Sequence, residues 1–102
     1  MFAAVWAFEV DEERRADFER AYGPDGDWAD LFRLGEGYLG TELLADAAKP
    51  GRYLAIDRCR SSNSFDGFMA AHGGVYEALD ARLAGLASRE VPLGRFDVVD
   101  RG

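Results

Sequence analysis

One side chain in this sequence could exchange a proton near neutral pH, and one carboxylate interrupts an apolar strand. His72 is the sole histidine. It falls on the stripe Phe65, Phe68, Met69, His72, Tyr76 and Leu79, whose helical spacing turns it toward a core. Imidazole titrates at about 6.5, so a histidine facing a pocket is a ready general base. Asp57 interrupts the apolar run Tyr53-Leu-Ala-Ile56, and a carboxylate there is costly to bury without a partner. It is either one half of a structural or interface ion pair or a catalytic carboxylate. Arg58 is adjacent, but successive strand residues point to opposite faces. Tyr76, one turn after His72, offers a phenol for proton transfer or orientation. His72 has a plainer role open to it as well, that of a neutral, hydrogen-bonded core histidine or one released to solvent by the glycine pair.

Trp6, Phe8, Trp28, Phe32 and Phe68 are aromatic residues that could line a flat apolar pocket with Tyr76, and such walls suit a planar substrate. Most of them also serve as core. Cys59 is the single cysteine; nothing in the spacing puts His72 beside it, and a buried, inert thiol is expected. The segment Gly35-Glu-Gly-Tyr-Leu-Gly40 satisfies the G-x-G-x-x-G pattern. That pattern binds a dinucleotide when a strand precedes it and a helix follows, whereas here a helix precedes and a strand follows.

The elements that must hold these residues can be read from punctuation. Phe2 to Val10 is an apolar strand, and Asp11 is a helix N-cap followed by Glu12 and Glu13. The helix runs to about Tyr22, where Gly23-Pro-Asp-Gly26 breaks it. Trp28, Leu31 and Phe32 share a face of a second short helix. Tyr38–Leu44 and Arg52–Cys59 form a hairpin around Lys49-Pro50-Gly51. Ser61, Ser62, Asn63 and Ser64 offer caps for the longest helix, which should kink at Gly73-Gly74, since each interior glycine costs about 1 kcal/mol relative to alanine. Glu90 to Val99 closes the chain as a strand, with Pro92 marking an edge or bulge. The order β-α-β-β-α-β predicts a single α+β domain over residues 1–102, ferredoxin-like, with an antiparallel sheet.

The strands carry apolar residues on both faces. Ala3, Val5 and Ala7 alternate with Ala4, Trp6, Phe8 and Val10. In the hairpin, Leu39, Leu43, Leu54 and Ile56 are expected opposite Tyr38, Leu44, Tyr53 and Ala55. Helices cover only one face, so the other calls for a second copy, and a homodimer is expected.

Composition narrows the partners. The 102 residues carry 12 basic and 19 acidic side chains, a net charge of −7, so nucleic acid and anionic membranes are repelled. One cysteine and one histidine cannot close a structural metal site. No basic lead-in opens the chain and no apolar run approaches the ~20 residues of a bilayer span; a cytoplasmic protein is expected.

The stretches Gly35-Glu-Gly-Tyr-Leu-Gly-Thr-Glu-Leu-Leu44, Pro50-Gly-Arg-Tyr-Leu-Ala-Ile-Asp-Arg58, Ser64-Phe-Asp-Gly-Phe-Met69 and Leu93-Gly-Arg-Phe96 together resemble the antibiotic biosynthesis monooxygenase superfamily. The resemblance implies a dimeric α+β barrel with a pocket in each protomer between sheet and helices. It implies a cofactor-independent monooxygenase acting on a small aromatic compound of phenolic or hydroquinone type, without metal, flavin or haem. His72 is then the first choice for the base, with Asp57 and Tyr76 behind it and the aromatic residues lining the pocket. A tryptophan common in the family is replaced here by Cys59. The haem-degrading branch uses an asparagine on the first strand, a tryptophan on the last-helix segment and a histidine beyond it. This chain has Trp6-Ala7-Phe8-Glu9, Phe68 and His72 in those regions, so only His72 matches. Two other readings stand beside the oxygenase: a non-catalytic small-molecule-binding dimer, and a non-oxidative cyclase or isomerase.

Overall fold

The computed structural model describes residues 1–99. Strand β1 (Phe2–Glu9) leads through a 3-10 turn at Glu12–Arg14 into helix α1 (Arg15–Tyr22) and helix α2 (Asp27–Phe32). Strands β2 (Tyr38–Ala45) and β3 (Arg52–Cys59) form the hairpin. Helix α3 (Ser62–Leu83) and a second 3-10 turn lead to β4 (Arg89–Asp97). All strand pairs are antiparallel, in the order β2-β3-β1-β4, and the helices pack on one face of the sheet. This is the expected ferredoxin-like α+β fold, with α1 and α2 together filling the place of its first helix.

Local chemistry explains most boundaries. Ser61 caps α3, its hydroxyl accepting from the Ser64 amide at 3.1 Å. Asp11 precedes the 3-10 turn and makes no side-chain cap, so α1 begins later than its acidic first turn suggests. The strand expected to reach Val99 ends at Asp97, although the Val98 amide still donates to the Met1 carbonyl at 2.8 Å. Pro92 sits on an edge strand beside a bulge, where Trp6 pairs with Pro92 but Val5 pairs with Gly94. A missing amide is tolerated there. Gly26 is held by close approach: a Cβ would lie 2.3 Å from the Arg20 carbonyl oxygen and 2.4 Å from that of Ala21. Only glycine lets α1 and α2 meet at this angle.

One register differs from simple alternation. Tyr38 pairs with Cys59 and Gly40 with Arg58, so Leu39 bulges from the ladder. Gly40 takes φ +150° at the bulge, a conformation favouring glycine. The slip brings Leu43 opposite Ala55 and Leu44 opposite Leu54. Leu43 therefore joins Tyr38, Tyr53 and Ala55 on the helix-covered face, and Leu44 joins Leu54 and Ile56 on the open one, the reverse of strict parity.

The core lies between sheet and helices. Phe18 is fully enclosed, stacked on Tyr22 with ring centroids 4.2 Å apart and edge-on to Phe8 at 5.1 Å. On the opposite face Val5, Leu54, Ile56 and Val91 are only half-covered, and Leu44, Leu93 and Phe96 stand 41–51% exposed. Among the described residues no helix is long and apolar enough to cross a membrane.

Candidate functional site

β1, β3 and β4 send side chains of one parity toward the helices, and a cleft opens between them. Its walls are aromatic: Trp6 and Phe8 from β1, Tyr22 from α1, Trp28 and Phe32 from α2, and Tyr76 from α3. Its polar groups are Thr41, Asp57, Asp80 and Glu90. The cleft is narrow. Its cavity volume is about 30 Å³.

Asp57 forms the floor. It is 6% exposed and is the only charged residue among the described ones to be so deeply covered. Among the described residues of the chain Asp57 makes no ion pair, and Arg58 lies on the other face and pairs with Glu42 at 3.0 Å. The partner is the Thr41 hydroxyl, which donates to Oδ1 at 2.5 Å. Thr41 stands directly opposite Asp57 in the hairpin. With its one proton committed to the carboxylate, Thr41 accepts from the Tyr38 hydroxyl at 2.5 Å. Two hydroxyls thus relay toward one carboxylate. Burial dominates nonetheless and raises the carboxyl to about 6, with the Thr41 hydrogen bond opposing the rise. At neutral pH Asp57 is mostly ionised, and it is basic enough to accept a proton.

Around this floor the phenols hold their protons. Burial, reinforced by Asp80, Glu90 and Asp57, pushes Tyr76 up to about 12. Burial also raises Tyr22, with the neighbouring Trp28 indole working in the other direction. No hydrogen bond of proper geometry reaches Trp28 Nε1, a buried donor. At the mouth, burial and then Asp80 raise Glu90. Burial, followed by Asp57, raises the Cys59 thiol, in keeping with the inert cysteine expected.

The cleft therefore gathers Asp57, Tyr76, Trp6, Phe8, Trp28 and Phe32 from the residues singled out in the sequence. It does not gather His72 or Phe68. His72 leaves helical geometry at φ −125°, ψ 19°, so the kink falls one residue before the glycine pair. Its ring packs on Phe68 at 5.2 Å, and both line an outer groove with Leu34, Glu36 and Asn63. Phe68 packs on Phe32 at 5.2 Å on its inner side and so stands as a partition between groove and cleft. Thr41, Tyr22, Asp80 and Glu90 escaped the sequence reading. Asp80 carried a signal, standing four residues after Tyr76 on one helix face.

A structure from Deinococcus radiodurans, assigned by inference to the antibiotic biosynthesis monooxygenases, superposes with a TM-score of 0.73 at 19% identity, over 98% of this chain and 94% of that one. The chain has the antibiotic biosynthesis monooxygenase fold. Rv0793 from Mycobacterium tuberculosis shares it at TM-score 0.70 and 18% identity, covering 98% and 96% of the two chains. SnoaB, a cofactor-independent oxygenase from Streptomyces nogalater, matches at TM-score 0.64 and 21% identity over 97% and 93%. A variant of MhuD with two manganese protoporphyrin IX bound per active site matches at 0.66 and 22%, over 100% and 99%. No family model matches the sequence, and no curated protein matches it. Similarity at this level carries the fold, while chemistry rests on the residues of the site. His72, the histidine a porphyrin would use, lines the outer groove and not this cleft.

Proposed function

We propose that the protein is a cofactor-independent oxygenase acting on a small electron-rich aromatic compound of phenolic or hydroquinone type, with Asp57 as the general base. One observation carries this reading: a buried carboxylate with no cationic partner among the described residues forms the floor of an aromatic cleft. A carboxylate held only for stability would be paired, because burial of an unpaired charge destabilises the fold.

The chemistry needs no external reductant. Asp57 takes a proton from an acidified C–H of the substrate, and the resulting anion passes one electron to O₂. The radical pair combines to a peroxide, which recovers the proton from Asp57. Loss of water with the second C–H proton leaves a carbonyl, so that an anthrone-type R₂CH₂ and O₂ become R₂C=O and H₂O, and a hydroquinone, reacting at a ring carbon through its keto tautomer, and O₂ become a hydroxyquinone and H₂O. Tyr76, which keeps its proton, orients the substrate oxygen. Oxygen uptake with an anthrone or hydroquinone panel tests the reading. The expected result is uptake coupled to product carbonyl. No uptake across the panel would leave a binding module, and turnover without oxygen would point to an isomerase.

The protein is also proposed to act as a homodimer through the open sheet face, where Leu44, Leu54, Ile56, Leu93 and Phe96 form an apolar surface flanked by charge. Light scattering at micromolar concentration should give twice the 11.2 kDa of one chain. Phe96→Glu, at a half-exposed position, should give the single-chain mass with an unchanged circular dichroism spectrum. A wild-type mass of one chain would remove the proposal.

A further inference from the structure

Every charged residue lining the cleft is a carboxylate: Asp57 at the floor, Asp80 and Glu90 at the mouth. None of the three makes an ion pair among the described residues, although eight other pairs form. Aromatic rings stand between floor and mouth at inclined angles, Trp28 against Tyr76 at 4.9 Å and 57° and against Tyr22 at 6.1 Å and 49°. Ring faces beside carboxylates attract a cation, the first through their quadrupoles and the second through charge. Two buried polar groups call independently for a ligand. Trp28, 7% exposed, has an indole N–H beside Tyr22 that makes no hydrogen bond of proper geometry, and Asp57, 6% exposed, has no described partner for its second oxygen.

We infer that the cleft is selective for an aromatic substrate bearing a cationic amine, its ring among Trp28, Phe32 and Tyr76 and its ammonium between Asp80 and Glu90. This rests on the cleft being the substrate site, as the oxygenase reading holds. The ammonium solves a difficulty which that reading raises. Removing a proton from the acidified C–H leaves an anion in a cleft whose charged lining is Asp57, Asp80 and Glu90. The mouth carboxylates oppose any new anion, as they do at Tyr76. A positive charge carried by the substrate neutralises them and lowers the cost of forming that anion. A substrate bearing its own carboxylate meets three like charges and no cation.

Three probes with one ring and different charge test the inference by titration calorimetry: tyramine, para-ethylphenol and para-hydroxyphenylpropionate. Tyramine should bind at least about tenfold more tightly than para-ethylphenol, and the propionate more weakly than either. The preference should shrink as salt rises. In Asp80→Asn combined with Glu90→Gln, both exposed positions, the tyramine to para-ethylphenol ratio should fall toward one. Equal binding of the three probes, tighter binding of the propionate, no binding of tyramine at millimolar concentration, or a preference that survives in the double variant would each overturn the inference. Binding is read without turnover. A tyramine preference in a protein that consumes no oxygen therefore supports this inference while removing the oxygenase, and oxygen uptake without that preference does the reverse.

Discussion

Asp57→Asn should lower kcat for oxygen uptake by about 10²–10⁴, the usual worth of a positioned general base, while making the folded protein more stable at neutral pH. Both effects have one cause. Asp57 titrates at about 6 in the folded chain against 3.8 as the reference value, so the native state holds this proton more tightly than the unfolded chain does. Its contribution to stability is fully present below about pH 4 and is lost as pH rises through about 6. About two units at 1.36 kcal/mol each make the ionised group cost about 3 kcal/mol above that window. Asparagine keeps the shape and removes the charge. Urea denaturation at pH 7–8 should show a gain of up to about 3 kcal/mol in the variant, and the difference from wild type should vanish near pH 4. Wild-type kcat/KM should rise with pH through about 6, and the variant should lack that limb. Activity that survives in Asp57→Asn but falls in His72→Ala would return the base to the outer groove.

Much of the fold was legible because its punctuation is chemical. Lys49-Pro50-Gly51 marks the hairpin, Ser61 caps α3, Pro92 announces an edge, and the glycines after Tyr22 separate two helices. Aromatic residues at strand parity and helical spacing marked five of the residues that line the cleft, Trp6, Phe8, Trp28, Phe32 and Tyr76, and a carboxylate in an apolar strand marked Asp57. What escaped depends on register and on single backbone torsions. Thr41 precedes Asp57 by sixteen positions, and the two meet only because Leu39 bulges. Without that bulge Thr41 would face away and Asp57 would have no hydroxyl partner. The same slip exchanged the faces of Leu43 and Leu44.

His72 shows a second limit. Helical spacing puts Phe65, Phe68, His72 and Tyr76 on one stripe, but a stripe repeating at three and four residues drifts around a helix and can touch two compartments. Phe68 is the divide: its inner side meets Phe32, its outer side His72. The non-helical torsions at His72 then leave the imidazole in the outer groove. Glycine at positions 73 and 74 suggested a break in α3 but not which neighbour would absorb it. Gly26 presented the converse case, since turn chemistry accounts for a glycine there while the actual reason, two carbonyl oxygens within 2.4 Å of a Cβ, exists only once α1 and α2 have packed.

Phe18→Ala should be the most damaging single truncation in the core, costing about 3–5 kcal/mol. Phe18 is the one large side chain among the described residues with almost no exposed surface, and its ring touches three others: Tyr22 at 4.2 Å, Tyr53 at 4.9 Å and Phe8 at 5.1 Å. The loss combines the transfer free energy of a benzyl group, a cavity that α1 cannot close while Gly26 holds it against α2, and aromatic contacts worth about 0.5–1.5 kcal/mol apiece. Phe18→Leu keeps most of the volume and should cost roughly half as much. The effect should also reach the cleft, because Phe8 and Tyr22 line it from the other side of the same cluster. In Phe18→Leu, still folded at 25 °C, para-ethylphenol should bind several-fold more weakly than to wild type, although Phe18 itself does not line the cleft. A Phe18→Ala protein within 1 kcal/mol of wild type by urea denaturation would mean that the Phe8–Phe18–Tyr22 cluster is not what holds α1 to the sheet, and affinity unchanged in Phe18→Leu would uncouple that cluster from the cleft wall.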